Sequence, residues 1–297
     1  MSPTPTRATR AGQAYNDLRN LAKRAHRDVA EYLTIYALEG LLARLAISDQ
    51  APDFVLKGGV LMAAYAVRRP TRDLDFQATG FVNDIDECVR RISAIVAILA
   101  DDGLVFDQES IRGEIIRDES DYSGVRVHIE ARLASAKIAF HADVNFGDPI
   151  WPGPTMTELP RLLGGTLSLL GYPDHMVLAE KIVTAIERGT ANTRWRDFVD
   201  IDNLISGRIF AADDLSQALN TVADYRGVVL QPLATVSKGM AEAAQPKWNA
   251  WRRKQRLDDS TPESFAELLT RCTSFADPVL SGVVAGHTWN PQNRTWQ

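Results

Sequence analysis

The chain has 297 residues, with 33 Lys and Arg against 38 Asp and Glu, a formal net charge of −5, and 45% hydrophobic against 24% charged residues. That balance excludes intrinsic disorder and supplies apolar material for a sizeable core, in two domains or in one domain with an appended half. A sequence pI near 5.6 also excludes a protein that coats a polyanion through overall charge, so any contact with nucleic acid must come from local basic stretches.

The chain opens polar, from Met1-Ser2-Pro3-Thr4-Pro5-Thr6-Arg7 to beyond Arg24, without the apolar core of a secretory signal. Apolar residues at Leu18, Leu21, Ala22, Ala25 and Val29, then Leu33, Ile35, Tyr36, Leu38, Leu41, Leu42 and Leu45, predict helix from Ala14 to Leu45. Past Pro52, Phe54, Val55 and Leu56 read as a strand that runs into the tight turn Lys57-Gly58-Gly59, and Val60 to Val67 as a short helix. Thr71 to Phe76 reads as the next strand. Asp84 to Ala100 reads as an amphipathic helix capped by Asn83. Its apolar run, Ile92 to Ala100, falls short of the roughly 20 residues of a bilayer span, so no membrane contact is expected.

From Gly124 onward the alternation is clear. Val125, Val127, Ile129, Ala131 and Leu133 share one face, and after Ala134-Ser135-Ala136-Lys137 so do Ile138, Phe140, Ala142, Val144 and Phe146, the pattern of a β-hairpin with one buried side. Gly147 to Pro160 holds Pro149, Pro152, Pro154 and Pro160 and reads as a linker or long surface connection. Beyond Pro173 helices take over, at Met176 to Arg188, Asp197 to Ile205, Ala211 to Asp224 and Pro262 to Phe275. The layout is α+β: a mixed sheet with flanking helices over residues 1–155, including a helical N-terminal extension, then a mostly helical domain over 156–297.

Chemistry concentrates in Thr71-Arg72-Asp73-Leu74-Asp75-Phe76. Residues two apart on a strand share a face, so Asp73 and Asp75 point together while Leu74 and Phe76 enter the core. Two carboxylates so placed repel unless a cation lies between them, and all-oxygen ligation suits magnesium or manganese. The same spacing in Asn83-Asp84-Ile85-Asp86-Glu87 opens a helix, where acids answer the helix dipole instead. Asp143 lies on the polar side of the later strand, so a third carboxylate joins the pair if the two strands are neighbours. Lys57-Gly58-Gly59 before a helix combines close backbone approach with exposed N–H groups, which suits a phosphate or merely makes a turn.

At these residues the chain resembles the polymerase-β-type nucleotidyltransferases, and within them the AbiEii/AbiGii toxin family that includes the MenT toxins of toxin–antitoxin pairs. The matching segments are Leu56-Lys57-Gly58-Gly59, then Arg69-Pro70-Thr71-Arg72-Asp73-Leu74-Asp75-Phe76, then Ala179-Glu180-Lys181-Ile182 and Arg188-Gly189-Thr190-Ala191-Asn192-Thr193-Arg194-Trp195-Arg196-Asp197-Phe198-Val199-Asp200. The resemblance implies a nucleotidyltransferase fold and transfer of a nucleoside monophosphate from an NTP. It implies Asp73, Asp75 and Asp143 as metal ligands. Lys57, Gly58, Gly59, Thr71, Arg72, Lys181, Arg194 and Asp197 are implied on the nucleotide, with Lys181 and Asp200 also in catalysis. Many relatives place Ser or Thr after the glycine pair; here Val60 follows Gly59, and Thr71 is the hydroxyl left to meet a phosphate. Taken alone, Asp197 and Asp200 read instead as one solvated, salt-bridged face of a helix, and Lys181 as an exposed lysine.

The acceptor implied by the resemblance is RNA, above all the 3′ end of tRNA, with an antitoxin as cognate partner. Two basic stretches could meet it: Arg7, Arg10, Arg19, Lys23, Arg24 and Arg27, and the run Lys247, Trp248, Trp251, Arg252, Arg253, Lys254 and Arg256. Trp248 and Trp251 would either stack on bases or pack one helix face against the core. The alternatives are a nucleotidyltransferase acting on a small-molecule or protein hydroxyl, and a non-catalytic protein that binds RNA or an antitoxin. His26, His128, His141, His175 and His287 have no zinc spacing, although His141 shares a strand face with Asp143. Cys88 and Cys272 have neither metal nor redox spacing, and a reducing, cytoplasmic setting is expected.

Overall fold

The computed structural model describes residues 5–66, 71–117 and 123–297. The chain divides into two compact units, Met1–Asp148 with Pro154–Tyr172, and Pro149–Gly153 with Pro173–Gln297.

The first unit begins with α1 (Arg10–Arg24) and α2 (Val29–Ala46). The single helix expected over this stretch is broken at 25–28: His26 takes a positive φ of 52°, and Asp28 restarts the helix by accepting from the Ala30 N–H at 2.9 Å. Leu38, Leu41 and Leu42 are fully buried, because α2 is apolar around most of its circumference and sits inside the unit.

Then follow β1 (Phe54–Lys57), α3 (Gly58–Tyr65), β2 (Asp73–Ala78), α4 (Ile85–Val96), β3 (Leu104–Arg117), β4 (Ser123–Leu133), β5 (Ala136–Asn145), β6 (Thr155–Pro160) and β7 (Thr166–Gly171). Val67, expected to end the helix after the glycine turn, and Arg69 and Pro70 of the family motif lie outside the described residues. Asp84, not Asn83, caps α4, its Oδ1 accepting from the Glu87 N–H at 2.9 Å.

Seven strands form one mixed sheet in the order β3-β4-β5-β2-β1-β7-β6. β2 runs parallel to β5 and β1 parallel to β7, and the other neighbours are antiparallel. Register gives the two faces opposite character. Gly113, Val127, Ala142 and Leu74 lie level across four strands under α4, where a Cβ on Gly113 would come within 2.6 Å of Ile85. The opposite face carries the charged rows described below.

The proline-rich segment expected as a linker is strand from Thr155, because β6 pairs with β7 down to Pro160↔Thr166, and β7 in turn meets β1 at Leu56↔Gly171. Pro160 stands at the end of an edge strand, where its missing N–H costs no ladder bond. The hairpin β6–β7 accordingly belongs to the first unit, although sequence alone suggests a division at 155/156.

The second unit contains α5 (Asp174–Arg188), α6 (Trp195–Gly207), β8 (Phe210–Ala211), α7 (Ala212–Arg226), α8 (Leu233–Val236), α9 (Met240–Gln255), α10 (Phe265–Leu280), β9 (Thr288–Asn290) and β10 (Thr295–Trp296). Its three short strands pair in the order β10-β9-β8. Phe198, Trp248, Phe265, Phe275 and Trp289 are buried and meet in ring contacts at centroid distances of 4.9–5.7 Å. Among the described residues, no helix is long and apolar enough to cross a membrane.

Candidate active site

On the polar face of the sheet, β2 presents Asp73 and Asp75 while Leu74 and Phe76 are fully buried beneath them, as the period of a strand requires. β5 lies beside β2, and Asp75 is level with Asp143, Asp73 with His141. The rows continue in both directions. One runs Glu114, Arg126, Asp143, Asp75, Lys57 across β3, β4, β5, β2 and β1; the next runs Arg112, His128, His141, Asp73. The three carboxylates named from sequence therefore share one face of neighbouring strands.

Each carboxylate is held differently. The Thr71 hydroxyl donates to Asp73 Oδ1 at 2.6 Å, so it orients an aspartate instead of standing ready for a phosphate. The Gly59 N–H donates to the Asp75 carboxylate. Gly58 turns the chain at φ +66°, and a Cβ there would fall 1.8 Å from Asp75 Oδ2, so only glycine lets β1 turn into α3 against that carboxylate. Asp143 is gripped at both oxygens by Arg126, Nε to Oδ1 and Nη2 to Oδ2, each at 2.8 Å.

Electrostatics follow this crowding. Burial and then the charge of Asp73 push the Asp75 pKa up to about 6; Asp143 adds to the rise, while Lys57 and the Gly59 N–H oppose it. His141 Nε2 lies 3.9 Å from Asp73 Oδ2 and 3.8 Å from Asp143 Oδ1. Burial lowers its pKa, opposed by the two aspartates and aided by Arg126 and His128.

Lys57 is buried and its Nζ lies 2.5 Å from Asp148 Oδ2, over the ring of Tyr172 at 5.4 Å. It is a fixed counter-charge level with Asp75, whereas Arg72 is exposed.

In the second unit, Lys181 on α5 reaches α6, with Nζ 3.0 Å from Asp197 Oδ1 and 2.7 Å from Asp200 Oδ2. Arg194 Nε adds a contact to Asp197 Oδ2 at 2.9 Å. Asp197 and Asp200 are buried, so this group is a packed ion network, neither a solvated helix face nor an exposed lysine.

The basic run on α9 needs correction. Trp248 is fully buried, stacks on Trp251 at 5.4 Å and donates from Nε1 to the Pro262 and Glu263 carbonyls. Arg252 is buried too, donating to the Asp258 and Thr261 carbonyls and the Thr261 hydroxyl. Both hold the segment after α9 and are withdrawn from any base. Lys247, Arg253, Lys254 and Arg256 are exposed.

Arg126 and Asp148 escaped the reading from sequence. Arg126 stands at an ordinary polar position of an alternating strand, and its only signal is the antiparallel pairing that sets it level with Asp143. Asp148 lies in the loop after β5, three residues past Asn145, and carries no signal.

Among the described residues, no group of three His, Cys, Asp or Glu side chains stands ready to hold a metal ion. Asp73 and Asp75 nonetheless fit a hard divalent cation, being two acceptor-only groups whose mutual repulsion a positive ion would relieve. Asp143 fits as a third donor once its two oxygens are released by Arg126.

The sequence model of one family, described as nucleotidyl transferase AbiEii toxin of type IV toxin–antitoxin systems, matches residues 40–271. No curated protein matches the chain. Among solved structures, JHP933 from Helicobacter pylori is 14% identical with a TM-score of 0.46, over 83% of this chain and 90% of that one. A second solved structure, described as a candidate nucleotidyltransferase from H. pylori, is 15% identical with a TM-score of 0.46, over 83% of this chain and 92% of that one.

Proposed function

Because the chain belongs to the AbiEii nucleotidyl transferase toxin family of type IV toxin–antitoxin systems, we propose that it transfers a nucleoside monophosphate from an NTP to an RNA hydroxyl, foremost the 3′ end of tRNA. The observation that carries this reading is the convergence of Asp73, Asp75 and Asp143 on one face of β2 and β5, against a glycine turn that has no room for a side chain.

Asp73 and Asp75 would hold magnesium or manganese, with Asp143 as third ligand. Such an ion, when bound, supplies positive charge at the reacting phosphate and acidity at the acceptor hydroxyl. The surrounding residues set the donors in place. Thr71 fixes one oxygen of Asp73, the Gly59 N–H fixes Asp75, and Lys57 sets a positive charge beside Asp75. In the reaction, the acceptor oxygen bonds to the α-phosphorus, the bond to the β-phosphate oxygen breaks to release pyrophosphate, and the hydroxyl proton passes to solvent. In the second unit we assign phosphate contact to Lys181 and Arg194, which Asp197 and Asp200 hold in position. For RNA contact we assign the exposed cations Arg19, Lys23 and Arg24 of α1, Lys247, Arg253 and Lys254 of α9, and Arg256 just after it.

The test is to incubate the protein with total tRNA and each α-labelled NTP in turn, with magnesium or with EDTA. Label at the RNA 3′ end that requires magnesium and is lost in Asp73→Asn supports the assignment. Label on the protein, on a small molecule or nowhere overturns the tRNA acceptor.

A further inference from the structure

Of the three candidate cation ligands, Asp73 and Asp75 each keep an oxygen clear of any Lys or Arg among the described residues, and Asp143 does not. Asp73 gives Oδ1 to the Thr71 hydroxyl, and Asp75 receives the Gly59 N–H. Asp143 alone has both oxygens bound by a guanidinium. This fork-on-fork geometry is charge-assisted and bidentate; it takes one lone pair of each oxygen and sets a positive charge where a metal ion would approach.

We propose that Arg126 is a displaceable counter-ion of Asp143, which keeps the third carboxylate out of the cation site until the guanidinium leaves. The inference rests on the reading of Asp73, Asp75 and Asp143 as cation ligands. Two observations support it. The Arg126 side chain is about one-third exposed (34%), whereas that of Asp143 is at 12%, so the arginine is the partner with room to swing. The row also offers it a second carboxylate, since Glu114 lies level with Arg126 on β3, on the side away from Asp143. Glu114 is 58% exposed and, among the described residues, receives the His128 imidazole at 2.9 Å. Moving from Asp143 to Glu114 keeps the guanidinium beside an acid while it frees both Asp143 oxygens. Arg126 is thus a positioning residue: it acts through Asp143 and sets when that ligand becomes available.

The measurement is manganese binding to the nucleotide-free full chain, read from the EPR signal of unbound Mn2+. It compares wild type, Arg126→Ala, Arg126→Gln, Asp143→Asn and the double variant Arg126→Ala/Asp143→Asn. Removing the competitor should tighten Mn2+ binding about tenfold, the scale measured for close charge pairs, and the gain should vanish in the double variant. Arg112→Ala removes the same charge from the neighbouring row without touching Asp143, and should change affinity less than about twofold by charge alone. A thermal melt of each variant gives a second readout: added Mn2+ should raise the Tm of Arg126→Ala more than that of wild type.

Equal affinity in wild type, Arg126→Ala and Arg126→Gln overturns the inference alone. So does a gain that matches Arg112→Ala or survives Asp143→Asn. Absence of Mn2+ binding in every variant overturns the cation site and the inference together.

Discussion

Asp75 and Asp143 stand level on the adjacent parallel strands β2 and β5, yet their surroundings are opposite. Asp143 is neutralised by a bidentate guanidinium. Asp75 is pressed by burial and by Asp73 until its pKa rises to about 6. One position already has its counter-charge from the chain and the other does not, so substitutions at the two should behave differently.

Asp75→Asn removes a charge that the folded chain holds unfavourably. Transfer should fall on the order of 10²–10³-fold or more, the scale for loss of a group that stabilises developing charge, while the cation-free protein melts at the same temperature or higher at pH 7. A drop in Tm of several degrees, with activity kept, would remove Asp75 from the site.

The pH dependence has a definite sign. Asp75 binds its proton at about pH 6 in the folded chain against an ordinary 3.8. Between those values the folded state holds more protons than the unfolded one, so stability contributed by this group declines as pH rises through the window. Denaturant titrations of wild type and Asp75→Asn should therefore diverge from about pH 4 to about pH 6, with wild type losing ground. Parallel curves would show that Asp75 ionises normally.

Gly58→Ala places a Cβ 1.8 Å from Asp75 Oδ2 at a φ of +66°. The strain alone should cost about 1–3 kcal/mol, and the displaced carboxylate should cost activity out of proportion to stability. Comparing activity with the fraction folded separates these effects; a variant as active per folded molecule as wild type would show that the turn is merely a turn.

Lys181→Met tests the helical group. Removing the cation that binds two buried carboxylates should destabilise the protein by about 3–5 kcal/mol, visible as a lower denaturation midpoint. An unchanged midpoint would mean that Lys181 is held loosely and serves only a ligand.

On α9 the prediction divides the basic run in two. Trp248→Ala should lower stability by about 3–5 kcal/mol through the cavity it leaves. The triple variant Lys247→Ala/Arg253→Ala/Lys254→Ala should leave the melt unchanged and flatten the salt dependence of RNA binding, with a slope reduced by about 0.7 per lost phosphate contact. RNA affinity unaffected by the triple variant would rule this stretch out.

How much of this could be read beforehand depended on local regularity. Strict alternation in β2, β4 and β5 announced both the strands and the side of the sheet on which Asp73, Asp75 and Asp143 lie. β3 was illegible because a register shift between Asp107 and Arg112 changes which residues face inward halfway along. β6 was hidden by prolines, which an edge strand tolerates. Trp248 could not be assigned, since a helix buries or exposes an aromatic according to partners distant in sequence, here the Pro262 and Glu263 carbonyls. The grip of Arg126 on Asp143 and of Asp148 on Lys57 arises from pairings 17 and 91 residues apart, which no local pattern carries.

The row Glu114, Arg126, Asp143, Asp75, Lys57 spans five strands at one level, and every immediate neighbour along those strands turns to the opposite face. A slip of one residue in any pairing would exchange Asp143 for Val144 or Asp75 for Phe76 and drive a charge into the hydrophobic layer. Misaligned sheets are thus penalised by the same residues that we propose for the chemistry. The candidate site doubles as the fold's alignment mark, and a chain that closes the row has already excluded its nearest misfolded competitors.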